Sequence, residues 1–452
     1  MINVDGNNIL KININKIFVV LLPVIAAYSR NFIEILSISN ENKLNMQYGN
    51  GIFIDLVSIW VLGFIFIIIS KGIKKSEISS KSGFGLLLII SAITMVFPNN
   101  QNNLLSLFGL VKIFKYFLIA ILLTSIGDFN KFYSWIKKGF KIGLIIQTIV
   151  GFLFTFGGII IPFITGTSSH SIRNGFYRMF GTMESPGDFS LYMIIILAFF
   201  LVDFWILKER RSLVYMVLSW INLYFSGARA MTILSAIIIV GIIFYRYRKN
   251  YIVKAITIIG AIAGIIFFIN SDYYYEYFVR NNIFDMLSTR MVHWNLGIRL
   301  FLKNFIFGVG LNNITYFIFN NFDQVFSNVN YQNILVDSMF LQTAPIHNSF
   351  FIVACEMGVL GIIAYLRIYV IAFKKCISVI KNENKEFSKF AVFPLVALGT
   401  YIVYGLQGWA MLKQPFWIIF CIIICYVQLL FKNSNNNEIN NKLEQRELIW
   451  KE

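Results

Sequence analysis

Only three histidines occur among the 452 residues: His170, His293 and His347. An imidazole is the side chain best able to take a proton near neutral pH, so each is a candidate base. A lone histidine is more often structural, and that reading is kept for His170. His347 differs, standing in Pro345-Ile346-His347-Asn348 where a polar stretch turns into an apolar run. Arginine presents planar, bidentate donors matched to phosphate oxygens. Arg30, Arg173, Arg178, Arg229, Arg280, Arg290 and Arg299 fall in segments placed below on one side of a membrane. Arg229 sits in Phe225-Ser226-Gly227-Ala228-Arg229-Ala230, a short turn between two strongly apolar runs. A charge so close to lipid tends to be kept for a partner or ligand; the plainer reading is snorkelling to headgroups. Several arginines and a histidine together suit a phosphorylated lipid substrate. No Walker-type loop, metal-ligand cluster, Gly-x-Ser-x-Gly elbow or dinucleotide fingerprint is present, so neither ATP use nor zinc chemistry is expected. Cys421 and Cys425 lie one helical turn apart without a further ligand nearby and read as packing residues. Lys112 and Lys115 share a helical face; they either line a polar groove or pair with buried acids such as Glu356 or Asp203.

The elements that must position these groups are apolar runs. Of the residues, 57% are hydrophobic and 13% charged, against roughly 25% charge in soluble domains. Twelve runs, near 17–37, 52–70, 84–98, 104–123, 140–160, 189–206, 212–226, 230–246, 251–269, 347–367, 390–407 and 415–431, are long enough to read as transmembrane helices. Arg30 and Glu34 interrupt the first. Residues 1–431 therefore read as one transmembrane domain, an all-α polytopic bundle of about twelve spans. The basic Lys11 and Lys16 before the first run resemble a signal peptide, but a membrane anchor fits better with so many spans following.

Net charge is +17, yet the basic residues sit in short clusters between apolar runs, as topology signals do, and not on one soluble domain as in a nucleic-acid binder. With both termini in the cytoplasm, the inner segments hold 27 of the 39 Lys and Arg. Two outer segments are long, about 157–188 and 270–346; the second should carry function. Its middle, Ile283–Phe307, has apolar residues at helical spacing and reads as an amphipathic helix lying at the interface. Residues 432–452, rich in Asn, Glu and Lys, read as a disordered cytoplasmic tail. The rival class is a secondary transporter or polysaccharide flippase. Two-halved transporters usually place their longest loop inside, after the sixth span; here it is outside, after the ninth.

The motifs bear a resemblance to the O-antigen ligase and polymerase superfamily. His347-Asn348, nine residues, then Gly358-Val-Leu-Gly361 resembles that family's His-Asn…Gly-x-x-Gly signature. Gly227-Ala228-Arg229-Ala230 is similar to its Ser-Arg-Gly-Ala element, with Ala228 in place of the serine. Arg290-x-x-x-Trp294 followed by Gly308-Val-Gly310 looks like the block in the family's periplasmic loop, with Phe305 where a proline is common. Arg178-x-x-Gly181 with Pro186 resembles a further element. The likeness covers roughly residues 173–366; the first 150 are similar only in hydropathy. It implies a metal-independent, cofactor-free glycosyltransferase at the periplasmic face of a bacterial inner membrane. The donor would be an undecaprenyl-pyrophosphate-linked glycan, and a chain-length regulator protein is a further expected partner. By the same resemblance His347, Arg229 and Arg290 would be catalytic: the arginines hold the diphosphate and a neutral His347 takes the acceptor's proton. Arg178, Arg173, Asn348, Trp294 and His293 would bind substrate. Polymerisation of repeat units is favoured, on the chain's length, over ligation to the lipid A core.

Overall fold

The computed structural model describes residues 14–28, 31–37, 51–71, 83–97, 102–161, 164–165, 172–173, 176–269, 283–321, 346–381, 385–408 and 413–449. His170, Arg30 and Arg280 lie outside the described residues, as do the side chains of Arg173 and Arg290. The helices are α1 (Ile14–Ala26), α2 (Leu56–Lys71), α3 (Phe84–Thr94), α4 (Asn103–Thr124), α5 (Phe129–Gly157), α6 (Pro186–Trp205), α7 (Ser212–Ser226), α8 (Arg229–Arg246) and α9 (Tyr251–Ile269). They continue with α10 (Ile283–Lys303), α11 (Ile314–Asn320), α12 (Ser349–Lys381), α13 (Lys385–Phe390), α14 (Val392–Gln407) and α15 (Gln414–Ile449). Two small antiparallel pairs join them, β1 (Asn31–Ser37) with β2 (Gly51–Asp55), and β3 (Ile172–Arg173) with β4 (Phe176–Tyr177).

Each of the twelve apolar runs holds a helix. Among the described residues seven are long and apolar enough to cross a bilayer, and five shorter apolar helices accompany them. The chain is thus a helical membrane protein. α6 is apolar all round, and every side chain from Phe189 to Asp203 is buried, which makes it the centre of the bundle.

Some elements differ from the sequence reading. The first run is not one span over 17–37: α1 stops at Ala26, and Asn31–Ser37 is a strand paired with β2. Arg30 and Glu34 cannot stay in hydrocarbon, and a hairpin pairs the backbone where the helix ends. α5 begins at Phe129, eleven residues before the apolar stretch, because Asp128 caps it through the Lys131 N–H at 3.1 Å. The tail read as disordered continues α15 as helix through Ile449; no glycine or proline interrupts the chain after Phe431. α10 is helical as expected but is not simply an interfacial helix. Its His293, Leu296, Gly297 and Leu300 are buried at i, i+3, i+4, i+7, and it packs on α12.

Contacts sort the helix termini into two ends. At one, Thr182 Oγ1 donates to the Ala27 carbonyl after α1 at 2.6 Å, and Met179 N–H to Phe225 in the last turn of α7 at 3.0 Å. There too Phe97 beyond α3 stacks on Phe307, Ser106 in α4 donates to Leu311 at 2.9 Å, and Ser349 starting α12 to Gly408 after α14 at 2.8 Å. At the opposite end Phe129 packs edge-on against Phe390 and Tyr426. Of the helices that these contacts involve, α1, α3, α7 and α14 end where α4, α6 and α12 begin.

The opposite end is tied by ions. Lys137 of α5 meets Asp203 of α6 at 2.6 Å and also pairs with Glu209. Tyr133 and Ser212 donate to the same Asp203, whose side chain is 1% exposed. Breaking such a pair on one side strands a buried charge. Lys137→Met is expected to lower stability by about 3 kcal/mol, and adding Asp203→Leu to restore much of it. Thermal melts of the purified single and double variants check this; equal melting of Lys137→Met and the parent protein would count against it.

Candidate functional site

His347 precedes α12 by two residues, outside the helix, and is partly exposed. Asn348 is the helix cap. Its Oδ1 accepts from the N–H groups of Phe350 and Phe351 at 2.9 and 3.1 Å, and its Nδ2 donates to Leu406 at 3.4 Å. Asn348 is 2% exposed. Both polar atoms are thus engaged with backbone, directly after His347 in the chain.

His293 comes to His347 from α10. The two rings are 5.0 Å apart, edge to face, and His293 is 1% exposed. One turn further along α10, Gly297 leaves room for Phe351 and its carbonyl accepts from Cys355 Sγ at 3.1 Å. Trp294, 38% exposed, stands edge-on to Phe351 at 6.4 Å. Arg290 occupies the helical position one turn before His293 and Trp294, so the backbone brings the arginine's position to the face that meets α12.

What docks α10 onto α12 is a break in α12 itself. Gly358 has φ 64° and ψ −163°, non-helical values within a 33-residue helix. A break frees backbone groups that must be satisfied elsewhere. The chain after α10 does so: Val309 N–H donates to the Cys355 carbonyl at 2.8 Å, Gly310 N–H to Glu356 at 3.0 Å, and Val359 N–H to Phe305 at 2.7 Å. A Cβ on Gly358 would overlap the Ile306 carbonyl and lie 2.6 Å from Phe307 N, and one on Gly308 would collide with the Glu356 backbone. The two glycine motifs are thus halves of one backbone joint. Their separate spacings did not disclose this.

A second group forms around Arg229, the first residue of α8. Arg178 Nε donates to the Ser226 carbonyl at 3.0 Å, and Met179 N–H pairs with Phe225 beside it. Gly181 follows with φ 57°, where a side chain would run into Gln147; Gln147 in turn accepts from Thr182 N–H at 3.0 Å. The Arg178-x-x-Gly181 element therefore clamps the α7–α8 turn that carries Arg229. Arg173 lies in strand β3. The His347 group and the Arg229 group are bridged by α14, which packs on both α12 and α8, and by α6, which packs on α8 and α14.

The groove expected of Lys112 and Lys115 exists, and so does a buried acid, but the acid is Asp55. Lys115 Nζ lies 2.8 Å from Asp55 and 2.9 Å from Gln414 Oε1, not on Glu356 or Asp203. Asp55 also caps α2 through the Ser58 N–H at 2.6 Å; an Asp directly ahead of an apolar run is a cap signal legible in the sequence. Lys413, just before α15, pairs with Asp188 at 2.7 Å across 225 positions of chain, and no local pattern announces that. Burial alone would push the Lys413 ammonium down, but the Asp188 and Glu184 carboxylates more than offset this and hold it above the ordinary lysine value.

Comparison with curated proteins finds no match. The family model described as O-antigen ligase matches residues 214–366, from the first turn of α7 to beyond the Gly358 break. The match takes in Arg229, Arg290, His293, His347 and both glycine motifs, and leaves the Arg173 and Arg178 element outside. Over those residues, about a third of its length, the chain is similar to that O-antigen ligase family.

Proposed function

We propose that the protein transfers a glycan from a polyprenyl-diphosphate donor to an acceptor hydroxyl at the outer face of the membrane. The observation that carries this reading is the meeting of His347 with His293 on the helix that also bears Arg290, at the end of the bundle where Arg178 braces the Arg229 turn. A diphosphate on the anomeric carbon is already a good leaving group, so the protein needs to bind charge and move one proton. Arg229 and Arg290 take the oxygens that gain charge as the glycosidic bond breaks. His347 accepts the acceptor's proton, and buried His293 fixes its ring. Neither step calls on a metal.

The preferred acceptor is a second lipid-linked repeat, which makes the enzyme a polymerase. The description of the matching family favours ligation to a lipid A core as the second reading. Purified protein in liposomes with a lipid-linked oligosaccharide tests both. Growth of the lipid-linked chain without other acceptor supports polymerisation; product appearing only when lipid A core is added supports ligation. In either assay Arg229→Ala is expected to reduce transfer by about 10²-fold or more, with Arg229→Lys intermediate because it keeps charge but loses the bidentate fork. Full activity in Arg229→Ala would remove that residue from the site.

A further inference from the structure

A cleft of about 50 Å³ opens between β2, the start of α2 and the first half of α4. Ile52, Phe53, Phe108 and Val111 wall it, and Asp55, Ser58, Lys112 and Lys115 supply its polar atoms. Lys115 is matched by Asp55, so that pair is close to neutral. Lys112 is different: among the described residues its ammonium makes no hydrogen bond and no ion pair. It lies nine residues into α4, about 13 Å along the helix axis. Asp55 and Glu184 attract it without touching it, and a lysine with no contact partner in a cleft beside apolar helix faces tends to be kept for a ligand.

The rim gives the ligand's character. Val111 continues an exposed apolar stripe on α4 with Leu104, Leu107 and Phe114, and α2 alongside exposes Ile59, Leu62 and Phe66. A cation lining a small cleft, with exposed apolar helix faces beside it, fits an anionic head attached to hydrocarbon. The volume suits roughly three or four waters, comparable to the oxygens of one phosphate and too small for a sugar chain. We propose that this cleft holds the phosphate headgroup of a membrane lipid, with Lys112 as its counter-ion and the α2 and α4 faces receiving its chain.

The proposal stands apart from the transfer reaction, because the cleft is built from elements outside the matched family segment. Native mass spectrometry of the detergent-solubilised full chain tests it, with farnesyl diphosphate, phosphatidylglycerol and inorganic diphosphate as probes. The parent protein is expected to take up two farnesyl diphosphates, Lys112→Glu one, and Lys112→Gln a second one at least tenfold more weakly. Val111→Trp, which fills the rim and leaves every charge in place, should also lose one. Lys112-dependent uptake of phosphatidylglycerol would support the site and name ordinary phospholipid as a source. Equal loading of the parent and Lys112→Glu, or inorganic diphosphate bound at the Lys112-dependent site as tightly as farnesyl diphosphate, would overturn it. Loss of one lipid in Lys112→Glu with none lost in Arg229→Ala would leave the cleft standing and count against Arg229 as donor ligand.

Discussion

Replacing His347 with alanine is expected to cut glycan transfer by about 10²–10⁴-fold, the usual contribution of a positioned base. The variant should fold normally. His347 is partly exposed and lies ahead of α12, whose first turn is held by Asn348 and not by the histidine. Melting temperature and donor binding should therefore stay close to those of the parent while kcat falls. His293→Ala should lose less, because that ring meets His347 and is itself buried. Asn348→Ala separates positioning from chemistry: loss of the cap is expected to remove about 1 kcal/mol of stability as well as some activity. A His347→Ala enzyme that transfers glycan at the parent's rate would end the assignment of the base.

The second large effect falls on stability. Gly358→Ala forces a side chain into φ 64°, ψ −163°, a region open essentially to glycine, at about 1–3 kcal/mol. It also drives a methyl group into the Ile306 carbonyl, and overpacking adds about 1–3 kcal/mol. A loss near 3 kcal/mol or more is expected, together with release of α10 from α12, so that His293 no longer meets His347. Gly399→Ala is the control. It lies in α14 with no heavy atom within 4 Å of an added Cβ, and it should be neutral or slightly stabilising. Thermal unfolding of the two variants, with cysteine accessibility at Cys355 as a probe of the α10 contact, decides the matter. Identical melting of Gly358→Ala and Gly399→Ala would show that the joint carries no load.

The apolar runs were legible because hydrocarbon leaves the backbone no choice: a stretch such as Ser212–Ser226 or Tyr251–Ile269 must pair its own N–H and C=O groups, and both helices have the predicted bounds. The first run was misread because a strand satisfies the backbone as well as a helix once water is near, and only its partner β2, across an intervening stretch of chain, reveals that choice. The tail was misread from composition, which does not weigh an uninterrupted helix entering from α15.

Residue types and order along the chain already marked His347, Arg229, Arg290 and the glycine motifs, because a scarce imidazole and scarce charges beside lipid stand out against an apolar background. Which distant segments meet was decided by tertiary structure alone. The break at Gly358 accepts the backbone of Val309 and Gly310, about fifty positions earlier, and Lys115 finds Asp55 sixty positions away. Hydrogen bonds and ion pairs depend on distances of a few ångströms in space, and a linear pattern carries no record of which distant segments fold to meet.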